Sequence, residues 1–459
     1  MNARRAARRR PSSAELPGAF VARQREVLGA DASAFLEALA APPVRALRVN
    51  EHKASLTEVA ERLGVAVDPV PWCATATYLA GEIHPGDTAE HRAGLFYLQE
   101  PSSMAVVEAL RIEPHHRVLD VAAAPGGKAT HAASKLGRDG MLLANELVTS
   151  RLGPLLANLD AWGYQNVAIA SAAPVRLAEA VPASFDRVIV DAPCSGEALF
   201  RRQPEQRGEW SETQVAGAAR RQARLLASAA QTVAPGGLLA YSTCTFAFAE
   251  NEEIVRSFLD QHKDWAAEDL SFLPGGQPSA LGDAHAMRFY PHLCRCEGQF
   301  VAVLLAPGEP ARYRPPLPAR RRRVSAPPSA WAEFAARHLR NEVSPATVAF
   351  RGATFYLLPT AMELPSNIAL RPGLPLGRLV GASFRPSHAL AMTLRRDDVT
   401  FSEELDGDDL PAFREGREIS REGPPGWVLV TMGPWPLGWA RRKNDILAPK
   451  LPGHARSRA

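Results

Sequence analysis

VLDVAAAPGGKATH, residues 118–131, decides the fold. Valines and leucine around a single acid read as a strand buried on both faces, and the run then breaks into alanines, one proline and two glycines before a helix begins. Strand, small-residue turn and helix in that order are the first half of a β-α-β unit. The turn also has a chemical meaning. With little side chain on it, a ligand can approach the backbone, and the helix amino terminus behind it favours a carboxylate or another anion.

Further short apolar runs follow at 141–146 (MLLANE), 166–171 (NVAIAS), 186–193 (DRVIVDAP) and 237–244 (GLLAYSTC). Between them lie GKATHAASKLG, TSRLGPLLANLDAWG and SETQVAGAARRQARLLASAAQTVA, with apolar residues at helical spacing. This alternation predicts an α/β unit over 109–306, a parallel sheet covered by helices on both faces. Ligands of such sheets bind beyond the carboxyl ends of the strands. Each of the chemical motifs falls at such an end. Glu146 closes the strand after the glycine turn, where a carboxylate can accept both hydroxyls of a ribose.

VIVDAPCSGEALFRR, 188–202, delivers Asp191 and Cys194 to the same edge, with Pro193 between them. YSTCTFAFAEN, 241–251, delivers Cys244 from the next strand. Free cysteine is often a small buried hydrophobe, so either thiol alone reads as packing. Two thiols at ligand-facing strand ends beside a cofactor turn read as chemistry. Neither motif has CxxC spacing and no histidines cluster with them, so no metal site is expected there. Cys294 and Cys296 form a CxC pair without further ligands nearby in sequence.

A chain of 459 residues divides into two or three domains. Residues 14–108 predict a small α+β extension, from helical spacing in AFVARQREVLGADASAFLEALA followed by PPVRALRVN and GLFYLQEPSS. Residues 329–459 predict a second small module whose GWVLVTMG and PLGWARRKND read as strands. Residues 307–328, with RYRPPLPARRRR, read as an Arg/Pro-rich linker, and 1–13 as a flexible basic arm lacking the apolar segment of a signal peptide. The hydrophobic fraction of 46% and charged fraction of 22% exclude wholesale disorder, and there is no apolar run of about 18 residues to span a membrane. Five cysteines, odd in number, point to a reducing compartment, and the cytoplasm is the expected location. A net charge of +4 permits a nucleic-acid partner without requiring one.

AAAPGGK, DAPCSGE and STCTF followed by EN resemble the motifs of the RNA cytosine-5 methyltransferases of the Nol/Nop/Sun family, and the chain is similar to its RsmF-type members acting on small-subunit rRNA. RALRVN, GLFYLQEPSS, RFYPH, EGQF and GRLVGASFRPSHALAMTL extend the resemblance to nearly the whole chain. It implies a Rossmann-like methyltransferase domain dependent on S-adenosyl-L-methionine, with a carboxy-terminal PUA-like RNA-binding domain, acting as a monomer on RNA. By the same resemblance, Cys244 is the nucleophile, Asp191 supports the attack, and Cys194 assists release. Lys128 is the candidate cation for the thiols. Ala122, Ala123, Ala124, Pro125, Gly126, Gly127, Lys128, Glu146, Arg151 and Asp191 match the family's cofactor positions. Relatives often place an acid after the third strand where this chain has Ala172 and Ala173, so adenine contacts are expected from backbone groups or Ser171. Phosphate contacts are expected from Arg320–Arg323 and from RRKND. A tRNA substrate, a ribosome-assembly factor in which methyl transfer is secondary, and DNA methylation are the alternatives. The last would place the nucleophile in the PC motif and leave Cys244 without a role.

Overall fold

The computed structural model describes residues 15–80, 83–279, 285–310, 329–340, 348–359 and 364–456. The basic arm and Arg320–Arg323 lie outside the described residues.

The central sheet is built on β1 (Arg117–Asp120), β2 (Met141–Asn145), β3 (Val167–Ala170), β4 (Phe185–Asp191), β5 (Val233–Thr243), β6 (Ala286–Phe289) and β7 (Gln299–Leu305). Their spatial order is β6-β7-β5-β4-β1-β2-β3. The five strands β1 to β5 run parallel, and β7 is antiparallel between β5 and β6. Both faces of the sheet are apolar. Val118, Leu142, Ile169 and Ile189 pack on one side, while Leu119, Leu143, Val188 and Leu239 pack on the other. Near-continuous apolar runs are therefore needed where an alternating pattern would leave one face wet.

Parallel pairing carries the ends of β1, β2, β4 and β5 to one edge. Asp120, Asn145, Asp191 and Thr243 all stand there. Helix α1 (Gly127–Lys135) starts at that edge from the glycine turn, and helix α2 (Thr149–Trp162) starts there after β2.

The amino-terminal extension has helices Gly18–Leu28 and Ala32–Ala40 and a four-stranded antiparallel sheet. The carboxy-terminal region has a helix, a four-stranded antiparallel sheet and a five-stranded sheet containing Gly426–Met432 and Trp435–Lys443. These outer parts share a core, with Leu47, Val49 and Phe96 packing with Phe413, Val428 and Leu447. One piece of residues 329–459 also enters the middle unit. Ala369–Arg371 pairs antiparallel with β3, and Arg371 forms a 2.6 Å ion pair with Asp160. An exposed sheet edge is thereby covered, a feature that the sequence pattern does not announce.

Candidate active site

The glycine turn is held from the neighbouring strand. Ala123 N–H donates to Asn145 O at 2.8 Å, and Asn145 Nδ2 donates to Val121 O at 3.0 Å and Ala172 O at 3.1 Å. Asn145 Oδ1 accepts from Ala172 N–H at 2.9 Å. Asn145 thus occupies both backbone groups of Ala172, so the backbone expected to meet adenine is already engaged at that residue. Ser171 is exposed. Glu146, 2% exposed, accepts from Ala124 N–H at 3.3 Å and from Val148 N–H at 2.8 Å, with Arg151 at 3.4 Å. Arg151 also donates to Ala124 O at 2.5 Å.

These residues frame an open cleft of about 550 Å³, counting the solvent at its mouth. Ala122, Ala123, Ala124, Pro125, Gly127, Lys128 and Asp191 line it, whereas Gly126, Glu146 and Arg151 are not among the lining residues. Glu146 and Arg151 brace the turn through the contacts above. Gly126 has φ +117°, a backbone that favours glycine. A Cβ on Gly127 would stand 3.4 Å from the Tyr97 ring and 3.7 Å from Gln99, narrowing the cleft.

Beyond the Lys128 and Asp191 wall of the cleft, whose lining includes neither thiol, Cys194 Sγ and Cys244 Sγ lie 3.4 Å apart. Lys128 Nζ pairs with Asp191 Oδ2 at 2.8 Å, and Asp191 Oδ1 accepts from Ser242 Oγ at 2.8 Å and Gln299 Nε2 at 3.5 Å. Burial pulls Lys128 down, but Asp191 and the negative charge that Cys244 can carry hold it above its ordinary value. Lys128 therefore meets the carboxylate directly and the thiols through its field. The hydrogen bond to Cys244, followed by burial, pushes Cys194 well above the ordinary thiol range.

Buried carboxylates fix the thiol loops. Glu250 accepts from Ser195 N–H at 2.9 Å and Gln222 Nε2 at 2.8 Å. Glu197 accepts from Phe246 N–H at 3.0 Å and Trp210 Nε1 at 2.9 Å, tying the Cys194 loop to the Cys244 loop. Ser195 and Thr245 hydroxyls meet at 2.8 Å, and Ala198 N–H donates to Cys244 O at 3.0 Å. Glu252 receives two hydrogen bonds from Arg288, at 2.6 and 2.5 Å, and Arg288 also reaches Phe246 O.

Sequence reasoning missed several of these. Asp120 lines the cleft with Oδ2 buried and without a hydrogen-bond partner among the described residues. Burial, then Asp191, push its carboxyl up to about 7. An acid at the end of an otherwise apolar strand was the available signal. Tyr97, Gln99, Glu100 and Ser103 come from the extension and also line the cleft, and only tertiary packing brings them there. His292 sits among Phe35 and Tyr290 rather than in the cleft, and Cys294 and Cys296 sulfurs lie 3.3 Å apart. One expectation is corrected. Arg442 of RRKND is 5% exposed and paired with Glu403, so it is spent inside the protein, while Arg441 and Lys443 are exposed.

Five parallel strands in this order with antiparallel strands added beyond β5, a glycine turn after the central strand and a ligand cleft at the strand ends define a methyltransferase of the Rossmann-like class. The chain belongs to the 16S rRNA methyltransferase RsmB/F family. That family's model matches residues 107–305, flanked by models for the N-terminal domain of 16S rRNA methyltransferase RsmF at 16–101, the RsmF first C-terminal domain at 333–394 and the RsmF PUA domain at 401–457. Ribosomal RNA small subunit methyltransferase F of Serratia proteamaculans is 34% identical, over 96% of this chain and 97% of its own. The protein of that name from Enterobacter is 33% identical over 96% of each. A methyltransferase homolog protein from Pyrococcus horikoshii has a TM-score of 0.56 at 28% identity, covering 64% of this chain and 99% of its own.

Proposed function

We propose that the protein transfers a methyl group from S-adenosyl-L-methionine to carbon 5 of a cytosine in small-subunit rRNA, through a covalent bond between Cys244 and the ring. The observation that carries this reading is the pair of sulfurs 3.4 Å apart on strand ends next to the Lys128–Asp191 ion pair, which lines the cleft. The rRNA substrate rests on the relatives' names, and with it a cytoplasmic setting.

The cleft fits the donor. The small-residue turn 122–127 leaves backbone room, and Asp120 offers a buried acceptor without a partner among the described residues. Ala122 to Lys128 and Asp191 would hold the donor, with Glu146 and Arg151 behind the turn. When bound, it supplies an electrophilic methyl group to carbon 5.

Carbon 5 of cytosine is a poor nucleophile until another group adds at carbon 6. A thiolate suits that addition. Cys244 sulfur bonds to carbon 6 as the ring electrons move toward carbon 5 and nitrogen 3, and nitrogen 3 takes a proton through Asp191, which the Lys128 ammonium beside it resupplies. After methylation, a base on the Cys194 side takes the proton from carbon 5, Cys194 itself once its own proton has passed to solvent. The C–H electrons restore the C5–C6 double bond, the carbon–sulfur bond breaks with Cys244 leaving as thiolate, and nitrogen 3 returns its proton to Asp191. The target base must be unstacked for the sulfur to reach its face.

The test supplies the full chain, as a monomer, with methyl-labelled donor and either small-subunit rRNA or bulk tRNA, and maps 5-methylcytosine by bisulfite sequencing. Label at carbon 5 in the rRNA, absent with Cys244→Ala, is expected. Label on tRNA alone, or on another atom of the base, would overturn the reading.

A further inference from the structure

Cys294 and Cys296 have no part in the proposed methyl transfer. They stand in the loop between β6 and β7, with their sulfurs 3.3 Å apart. The backbone there turns back on itself, Cys296 N–H donating to Cys294 O at 2.9 Å across one residue. Arg295 between them is held elsewhere, 3.9 Å from the centre of the Tyr78 ring and 2.5 Å from Asp68 Oδ2. Cys294 is partly exposed and Cys296 is buried. An accessible thiol with a sheltered one against it is the arrangement of a sulfur that is oxidised and a sulfur that resolves it.

Among the described residues, neither thiol belongs to a group of three or more His, Cys, Asp or Glu side chains whose ligand atoms converge, so the pair does not read as a metal site. The sulfurs need close only from 3.3 Å to the bonded distance of about 2.05 Å. Movement here is felt in the methyl-donor cleft. Cys296 O accepts from Arg201 Nη1 at 3.0 Å, and the N–H of Glu297 beside it donates to Glu100 Oε1 at 2.9 Å. The other Glu100 oxygen accepts from Ser103 N–H and Ser102 Oγ, at 2.7 Å each, where the helix Pro101–Ala109 starts. Glu100 and Ser103 both line the cleft.

We propose that Cys294 and Cys296 are a reversible oxidation site, closed to a disulfide by hydrogen peroxide, and that closure pulls the Glu297 N–H from Glu100 and weakens methyl-donor binding. Cys294 gives its proton to solvent and its sulfur attacks one peroxide oxygen. The O–O bond breaks, the hydroxide released takes up a proton as water, and Cys294 is left as a sulfenic acid. Cys296 sulfur then attacks Cys294 sulfur, the S–O bond breaks, and the departing hydroxide leaves as water with the Cys296 proton. Two thiols lose two electrons in all, and one peroxide is reduced to two waters. In a reducing compartment a disulfide of this kind is transient and serves sensing. The disulfide stands by itself, while its effect on the cleft rests on the reading of S-adenosyl-L-methionine as donor.

The experiment takes the full chain carrying Cys194→Ala and Cys244→Ala, because those sulfurs, 3.4 Å apart, would compete for the oxidant. The chain is reduced, treated with hydrogen peroxide, unfolded with a reagent that blocks free thiols, and digested. Trypsin cuts after Arg295, so a bond between the two cysteines leaves peptides 289–295 and 296–312 joined, which mass spectrometry reads. The joined pair is expected, with dithiothreitol separating it and Cys73 still carrying the blocking reagent. Donor Kd by calorimetry is expected to rise on oxidation by roughly three- to tenfold, the worth of one hydrogen bond, and to return on reduction. Cys294→Ser in the same background should keep its affinity through the peroxide treatment, and Cys296→Ser supplies that control should the first misfold. Peptides that stay separate, or Cys294 bonded to Cys73, would overturn the site. A joined pair with unmoved donor affinity would overturn the link to the cleft. A reduced chain that binds no donor would overturn the reading of the cleft and the link with it, while the joined peptides still decide the disulfide.

Discussion

The glycine turn and the thiol loops are held by different means. The glycine turn is fastened by the strand beside it, through Asn145 and Glu146, which follow the turn by some twenty residues. The thiol loops are fastened by buried carboxylates that reach far along the chain. Glu197 pairs with Arg23 across 174 positions, and Glu252 with Arg288 across 36. The turn draws most of its contacts from β1, α1, β2 and helix α2, where Arg151 donates to Ala124 O and Asn158 to Pro125 O. The thiol pocket is complete only when the extension and the last strands have docked, so its geometry depends on the whole molecule.

The largest expected effect comes from cutting a brace of the thiol pocket. Glu252→Ala leaves the Arg288 guanidinium, 8% exposed, without its carboxylate. Breaking one side of a buried pair costs about 3–5 kcal/mol, and denaturant unfolding should read a loss of that size. A loss below about 1 kcal/mol would remove the contrast between the turn and the thiol loops.

At the turn, Glu146→Gln should act on ligand affinity. Hydrogen bonds to a charged group contribute about 1.5–3 kcal/mol, so the donor Kd should rise roughly ten- to a hundredfold by calorimetry. Unchanged affinity would show that the turn keeps its shape without the carboxylate.

The most gradual effect, spread over about three pH units, concerns Asp120, whose carboxyl is pushed up to about 7. An unfolded aspartate titrates near 4. Between these values the folded chain binds the extra proton, so stability is greater at the acid end of this window and falls as pH rises from about 4 through 7. Asp120→Asn should flatten that part of the stability profile, by at most about 1.4 kcal/mol per pH unit. An unaltered slope would mean that another group titrates there.

Legibility follows the same division. Strand, turn and helix over 118–131 could be read because most contacts that make the turn are encoded within about forty residues, Arg48 on Gly127 O being the distant one. Asp191, Cys194 and Cys244 could be placed at one edge because parallel strands must end together. The sequence could not reveal that Tyr97 and Gln99 close the cleft, that Arg442 is spent on Glu403, or that Ala369–Arg371 completes the sheet edge. Those arrangements join residues distant in sequence, and no local periodicity encodes them. Asp120 is the exception. It stood in the open within the motif, and its role follows from burial beside Asp191.

The central claim is that Cys244 forms the bond to the base and Cys194 is needed to release it. Cys194→Ala, incubated with small-subunit rRNA and S-adenosyl-L-methionine and run on a denaturing gel, should accumulate a covalent protein–RNA species. Cys244→Ala and the double variant should give none and transfer no methyl group. An adduct formed by Cys244→Ala, or methyl transfer that persists without that sulfur, would contradict the account.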